Sequence, residues 1–236
     1  MLPAEDLKGI ELTDAGLRIG AGVTHSEIMA DPLIAEHAPA MIDAAHTVGA
    51  VQTRNLGTLG GNLVTCVPSM DSGPTLLALD AQVTILGPKG TRQIDLSKFF
   101  VGVRKTALEP DELLLEVIIP KDNLGKPAGF IKFGLRKGQA LALVNAASAF
   151  RVEDGKFKDV RIALGAVAPV VMRAIKAEAH LEGQAISLEL IDEAAKLSIG
   201  EAKPIDDFRA SKEYRNSLIE VGARRTLQAV LDLANG

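Results

Sequence analysis

A single cysteine, Cys66, stands in a chain of 236 residues, and there is no tryptophan. A lone thiol closes no internal disulfide and cannot supply the four thiolates that normally hold an iron–sulfur cluster. It suits a reducing, cytoplasmic setting. Aromatics are few, seven Phe and one Tyr, which leaves no platform for stacking nucleobases. Net charge is −4, and no stretch concentrates the Lys and Arg that phosphate backbones require, so nucleic acid is not an expected partner. No apolar run approaches the ~20 residues of a membrane span. The start, "MLPAEDLKGIEL", has neither the basic nor the apolar region of a signal peptide. His25, His37, His46 and His180 are scattered with no partner at ligand spacing, so no metal site is expected. His25 and His37 read as surface or helix-end residues, and His46 as a packed helix histidine.

What is present is an ordinary globular balance, 47% hydrophobic and 24% charged. The length allows one large or two small domains with a real core. "LRIGAGV" (Leu17 to Val23) reads as a short strand. Thr24-His25-Ser26-Glu27 after it matches a capping box. Ala40 to Val48 has the small, apolar spacing of a buried helix with Ala44, Ala45 and Val48 on one face. Gly73 to Leu79 reads as a helix opened by Pro74. Gln82 to Leu86 and a run ending near Ile94 read as strands around the turn Gly87-Pro88-Lys89-Gly90. Leu113 to Ile119 is an apolar strand that stops at Pro120. The polar stretch Lys121 to Pro127 marks a domain boundary. Beyond it, Gly129–Arg136, Ala142–Val152 and Val160–Val167 read as strands, with a hairpin turn at Glu153–Lys156. Arg173–Leu181, Leu188–Ile199 and Glu213–Leu233 then show the 3–4 spacing of helices. Strands followed by helices predict an α+β unit.

One stretch departs from this background: "NLGTLGGN", Asn55 to Asn62. It lacks the Gly-Lys-Ser or Gly-Lys-Thr of a phosphate-binding P-loop. Its G-x-x-G-G spacing, after the polar "AVQTRN", is not that of a Rossmann fingerprint either. Adjacent Gly60 and Gly61 leave backbone N–H groups unshielded, and successive exposed N–H groups make an anion-binding concavity. Thr58 adds a hydroxyl, Asn62 an amide, and Asp71 an acceptor for a sugar-like hydroxyl. A tight structural turn explains the same glycines, and the motif alone leaves both open.

The longer string "QTRNLGTLGGNLVTCVPSMDSGPTLLALDAQV" resembles the flavin-binding subunit of the molybdenum hydroxylases, the family of xanthine dehydrogenase and carbon monoxide dehydrogenase. "KTALEPDELLLEVIIP", "GFIKFGLRKGQALALVNAA", "VRIALGAVAPVVMRA" and "FRASKEYRNSLIEVGARR" continue the resemblance in collinear order. It implies that Thr58, Leu59, Gly60, Gly61 and Asn62 wrap the pyrophosphate of FAD, and that Asp71 bonds hydroxyls on the flavin side. It implies Leu114 beside the adenine and Lys132 near the isoalloxazine, where a cation stabilises negative charge on reduced flavin; a solvated strand lysine is the alternative. Val48 takes a position that is aromatic in some relatives, and Gln52 and Arg54 flank the loop. Cys66 reads as a buried, inert residue.

The fold implied is α+β. Residues 1–124 form the second lobe of a PCMH-type FAD-binding domain, with the usual N-terminal lobe and its "AGGT"-like turn missing. Residues 125–236 resemble the carbon monoxide dehydrogenase flavoprotein C-terminal domain, a three-stranded antiparallel sheet with a helical bundle. A further departure is Ala140-Leu141-Ala142, where relatives carry a polar segment. The expected partners are a molybdopterin-binding large subunit and a [2Fe–2S] small subunit, with electrons passing through FAD to an acceptor such as NAD, and no catalytic residue in this chain. Two other readings stand beside it. One is a docking subunit whose incomplete FAD site needs a separate chain for the N-terminal lobe. The other is a stand-alone FAD oxidoreductase.

Overall fold

The computed structural model describes residues 4–235. The first part runs β1 (Ile10–Thr13), β2 (Gly16–Gly20), α1 (His25–Ala30), α2 (Pro32–His37), α3 (Ala40–His46), α4 (Val51–Leu56), α5 (Leu59–Thr65) and α6 (Ser72–Ala78). It continues with β3 (Gln82–Gly87), β4 (Gly90–Asp95), α7 (Leu96–Phe99), β5 (Phe100–Gly102), β6 (Lys105–Thr106) and β7 (Leu113–Pro120). Then come β8 (Ala128–Gly134), β9 (Ala142–Glu153), β10 (Lys156–Gly165), β11 (Met172–Arg173), α8 (Ile175–Leu181), α9 (Leu188–Glu201) and α10 (Lys212–Asn235).

Two antiparallel sheets organise these elements, a five-stranded one ordered β1-β2-β7-β3-β4 and a four-stranded one ordered β11-β10-β9-β8. The three strands expected after residue 125 are β8, β9 and β10, and β11 adds a fourth at the edge, pairing Ala163 with Arg173 and Leu164 with Met172. Two residues cannot show alternation, which is why this strand is invisible in the pattern. β1 is equally silent in the sequence, because only Ile10 of its four residues is even partly buried.

β9 separates two hydrophobic cores. Its odd positions, Ala147 and Ala149, join the core of the five-stranded sheet, α5 and α6. Its even positions, Val144, Ala146 and Phe150, join the core of α8, α9 and α10. That is the period-2 alternation of a strand buried on both faces. Small residues let the helices come close: a Cβ on Gly222 of α10 would meet Ala146 at 3.3 Å. Asn145 lies on the odd face, toward α6, and this is where the site is built.

Candidate functional site

The glycine stretch is not a free turn but a helix–glycine–helix junction. α4 precedes it, and Gly57 caps the end of α4 by donating its N–H to Thr53 O. Thr58 is the N-cap of α5, its Oγ1 accepting the Gly61 N–H at 3.0 Å. Leu59 N–H donates to Val23 O and Gly60 N–H to Ala21 O, each at 2.8 Å, and Asn62 N–H donates to Thr58 O at 3.0 Å. The expectation of a row of exposed N–H donors is therefore corrected: from Leu59 to Asn62 each donor is taken up inside the protein. The cause is the seating of α5 on the end of β2. β7 bulges at Leu115, whose carbonyl accepts Ala21 N–H at 2.9 Å, and Ala21 O in turn holds Gly60. Gly60 is buried, and a Cβ there would fall 2.6 Å from Ala21 Cβ. Gly61 is exposed, and a Cβ there would meet only Thr58 Oγ1, at 3.0 Å. Outward, the start of α5 offers the bare backbone of Gly61, flanked by the half-buried side chains of Thr58 and Asn62. Asn62 Oδ1 is buried without a hydrogen-bond partner, an acceptor that the fold leaves unused.

Lys132, on β8, is not the solvated lysine of the alternative. Its Nζ lies 2.5 Å from Asp71 Oδ2 and 2.9 Å from Thr47 O. The two side chains are only 9% and 7% exposed. Asn145 completes the cluster, its Nδ2 donating at 2.9 Å both to Asp71 Oδ1 and to Met70 O. Burial pushes the Asp71 carboxyl up, while the ammonium of Lys132 and the amide of Asn145 oppose the rise. A charge desolvated to this degree persists only when paired and hydrogen-bonded. Each Asp71 oxygen accepts one bond from these partners and retains a second lone pair. Asn145 was missed in the sequence, although one polar amide inside "ALVNAASAF" was the available signal.

Lys132 opens on a cavity of about 590 Å³ lined also by His46, Thr47, Arg54, Arg136 and Lys137, with no carboxylate among its lining residues. Arg54 donates to His46 O and Val48 O, both at 3.1 Å, which ties α4 to the end of α3. Arg136 donates to Gly138 O at 3.0 Å and Gln139 O at 2.8 Å. Both guanidiniums are thus oriented by neutral carbonyls and keep their charge for the cavity. His46 is exposed on its wall, which corrects the expectation of a packed histidine. His25 and His37 stand at the ends of α1 and α2. Ala140 lines the cavity, and Val48 is buried beside it. Leu114 is a core residue of β7, 6% exposed and opposite Ile85, and is not among the cavity's lining residues. Cys66 is buried in a left-handed conformation at the end of α5, its thiol pushed up by burial.

An antiparallel α+β body with a cationic cavity between the α3–α4 segment and β8 suits an anionic ligand. The comparisons agree. Residues 4–122 match the family described as the FAD binding domain in molybdopterin dehydrogenase, and residues 130–230 match the CO dehydrogenase flavoprotein C-terminal domain. The chain is 30% identical over 235 residues to the xanthine dehydrogenase FAD-binding subunit of Escherichia coli O157:H7, covering 98% of this chain and 80% of that one. It is 34% identical over 211 residues to the nicotine 6-hydroxylase medium subunit of Paenarthrobacter nicotinovorans, covering 89% and 74%. Among solved structures, carbon monoxide dehydrogenase from Hydrogenophaga pseudoflava superposes with a TM-score of 0.92 at 29% identity, covering 97% of this chain and 79% of that one. Quinoline 2-oxidoreductase from Pseudomonas putida 86 gives 0.89 at 31%, covering 98% and 80%. The chain belongs to the FAD-binding subunits of the molybdenum hydroxylases, a family of oxidoreductases. No helix among the described residues is long and apolar enough to cross a membrane.

Proposed function

We propose that this chain carries FAD as the electron-transfer subunit of a molybdenum-containing dehydrogenase. A large molybdopterin subunit and a small [2Fe–2S] subunit are its partners, and an acceptor such as NAD takes the electrons. The observation that carries the reading is the buried Lys132–Asp71–Asn145 cluster opening on a cavity without carboxylates. The Thr58 hydroxyl would donate to a phosphate oxygen, bare Gly61 would admit it closely, the unpartnered Asn62 Oδ1 would accept from a sugar hydroxyl, and Lys132 would face the flavin ring. Leu59 and Gly60 serve by seating α5, and Leu114 by packing β7. FAD, when bound, supplies the one- and two-electron chemistry, and the protein supplies orientation and charge. Residues 1–124 and 125–236 are proposed as the two domains that meet at this site.

The test is a visible spectrum of the purified chain. A flavin band near ~450 nm, bleached by electrons from the partner subunits, is expected; a chain that stays colourless with added FAD refutes the reading. A second reading, in which FAD is retained only with a further lobe on another chain, is favoured by α4. It has no buried residue, and its Val51 and Leu56 are 59% and 83% exposed. That reading predicts FAD binding only after the lobe is supplied. Turnover of NADH with an artificial acceptor and no partner present would instead favour a stand-alone oxidoreductase.

A further inference from the structure

Phe208, between α9 and α10, is 96% exposed. The segment that presents it is firmly held. Asp207 N–H donates to Ala210 O at 3.2 Å, and Asp207 Oδ1 accepts the N–H groups of Arg209 and Ala210 at 2.9 and 3.2 Å. The Arg209 guanidinium lies 5.6 Å from the centre of the Phe208 ring. Beside this turn opens a groove of about 320 Å³ rimmed by Val103 and Ile205, which are 56% and 62% exposed. Exposed apolar side chains on a groove rim, next to a fully exposed aromatic on a hydrogen-bonded turn, mark an interaction surface.

The groove is also positive. Lys203, Arg209 and Arg215 line it. The carboxylate among them is that of Asp207, 2.6 Å from Arg209 and 3.0 Å from Arg215. Arg215 is 2% exposed, donates to Leu143 O, and leaves its Nε without a partner. Three cations against one carboxylate call for an acidic occupant. Position adds a further constraint. Ser69 lines the groove, and Asp71, which holds Lys132, is two residues on, a span of at most ~7 Å. Leu143, gripped by Arg215, is likewise two residues from Asn145. The groove therefore backs directly onto the cluster proposed to face the flavin.

We propose that Phe208 and this groove are the docking surface for the electron-delivering partner subunit, which inserts an apolar side chain flanked by carboxylates. This rests on the reading of the chain as a subunit of a heteromeric complex. A second copy of the chain fits poorly, because a two-fold contact at this groove would set like charge against like.

The test purifies the tagged full chain with the subunits that assemble on it and measures co-eluting iron and molybdenum, FAD absorbance and the thermal melt. In Phe208→Asp and in Lys203→Glu, co-eluting metal should fall by about tenfold or more, the scale of a hot-spot residue, with FAD content and melting unchanged. Leu233→Asp, at an apolar position 60% exposed on α10, should retain both metals. Full metal content in both groove variants overturns the proposal, and so does a wild-type chain that elutes without metal. A wild-type chain that dimerises alone, with Phe208→Asp monomeric, replaces the partner with a second copy. Loss of metal from the variants of a chain that never binds FAD upholds the docking surface and refutes the FAD reading alone.

Discussion

Gly60→Ala and Gly61→Ala, one residue apart, should fail in different ways. A Cβ on Gly60 would stand 2.6 Å from Ala21 Cβ and 2.7 Å from Ala21 O, where ~3.5–4.0 Å is the favourable carbon separation. The obstacle includes backbone, so relief requires α5 to lift off the end of β2. That loosens the Gly60 N–H bond to Ala21 O, now 2.8 Å. Overpacking costs ~1–3 kcal/mol and the weakened bond ~1 kcal/mol, offset by the ~1 kcal/mol helix advantage of Ala over Gly. The net is roughly 2 kcal/mol, or a melting point lower by about 4–8 °C for a chain of this size. On Gly61 the new methyl meets Thr58 Oγ1 alone, at 3.0 Å, and the cap yields by a few tenths of an ångström. The helix advantage compensates, so the melting point should stay within about 2 °C. The methyl stands on the outward face, however, and FAD affinity should fall by about tenfold, ~1.4 kcal/mol. Circular dichroism melts of the apoprotein and fluorescence titrations with FAD separate the two. A Gly60→Ala protein that melts with the wild type refutes the close-approach argument. A Gly61→Ala protein with wild-type affinity removes the start of α5 from the cofactor site.

Lys132→Met should cost about 3 kcal/mol by stranding the buried Asp71, and the double variant with Asp71→Asn should recover most of it; urea melts decide, and no recovery refutes the pairing. If FAD binds at Lys132, the same substitution should lower its potential, by roughly 40 mV for ~2 kcal/mol of charge-assisted contact; an unchanged potential in spectroelectrochemical titration places the flavin elsewhere. Asn145→Ala should lower that potential in the same direction and by less, because Asp71 loses the amide that aims it; a potential equal to wild type confines Asn145 to packing. His25 is buried, its Nδ1 lacks a partner, and burial and the nearby Arg54 bring its pKa from 6.5 to about 4. The unfolded chain therefore takes the proton first, and stability should decline as pH falls from about 6.5 to about 4, by roughly 3 kcal/mol in total. His25→Gln should flatten that decline in denaturant melts, and an unaltered slope assigns it to other groups.

Elements with a strong local signature were legible in the sequence. The capping box at Thr24 and Glu27 forms as read, with Thr24 N–H donating to Glu27 Oε2 at 2.7 Å. The long strands and the α9 and α10 helices lie close to where the sequence pattern puts them: the helices each bury one continuous face, and β9 is a long apolar run buried on both. The failures share a cause. Most of the polar "AVQTRN" is α4, a helix that buries nothing and so carries no apolar stripe by which the sequence could show it. Asn145 sits in an alanine-rich run whose two faces serve different cores, and sequence alone cannot say which face meets Asp71. Lys132 reads as a surface residue by type, and only the arrival of Asp71, brought in at the head of α6, buries it.

The same contrast separates what binds from what positions. A helix of seven residues whose first-turn donors already bond Val23, Ala21 and Thr58 has little of its dipole field left to offer an anion. In the proposed site the attraction would come instead from the cavity, where Arg54, Arg136 and Lys137 line one space without a carboxylate among its lining residues. Gly60 then acts as a hinge pin that fixes where Thr58 and Asn62 stand, and Gly61 as the bare surface between them. Exchanging the two roles would require α5 to turn about its axis by roughly 100°, the angle between adjacent residues of a helix. The contact of Gly60 with Ala21 forbids that turn.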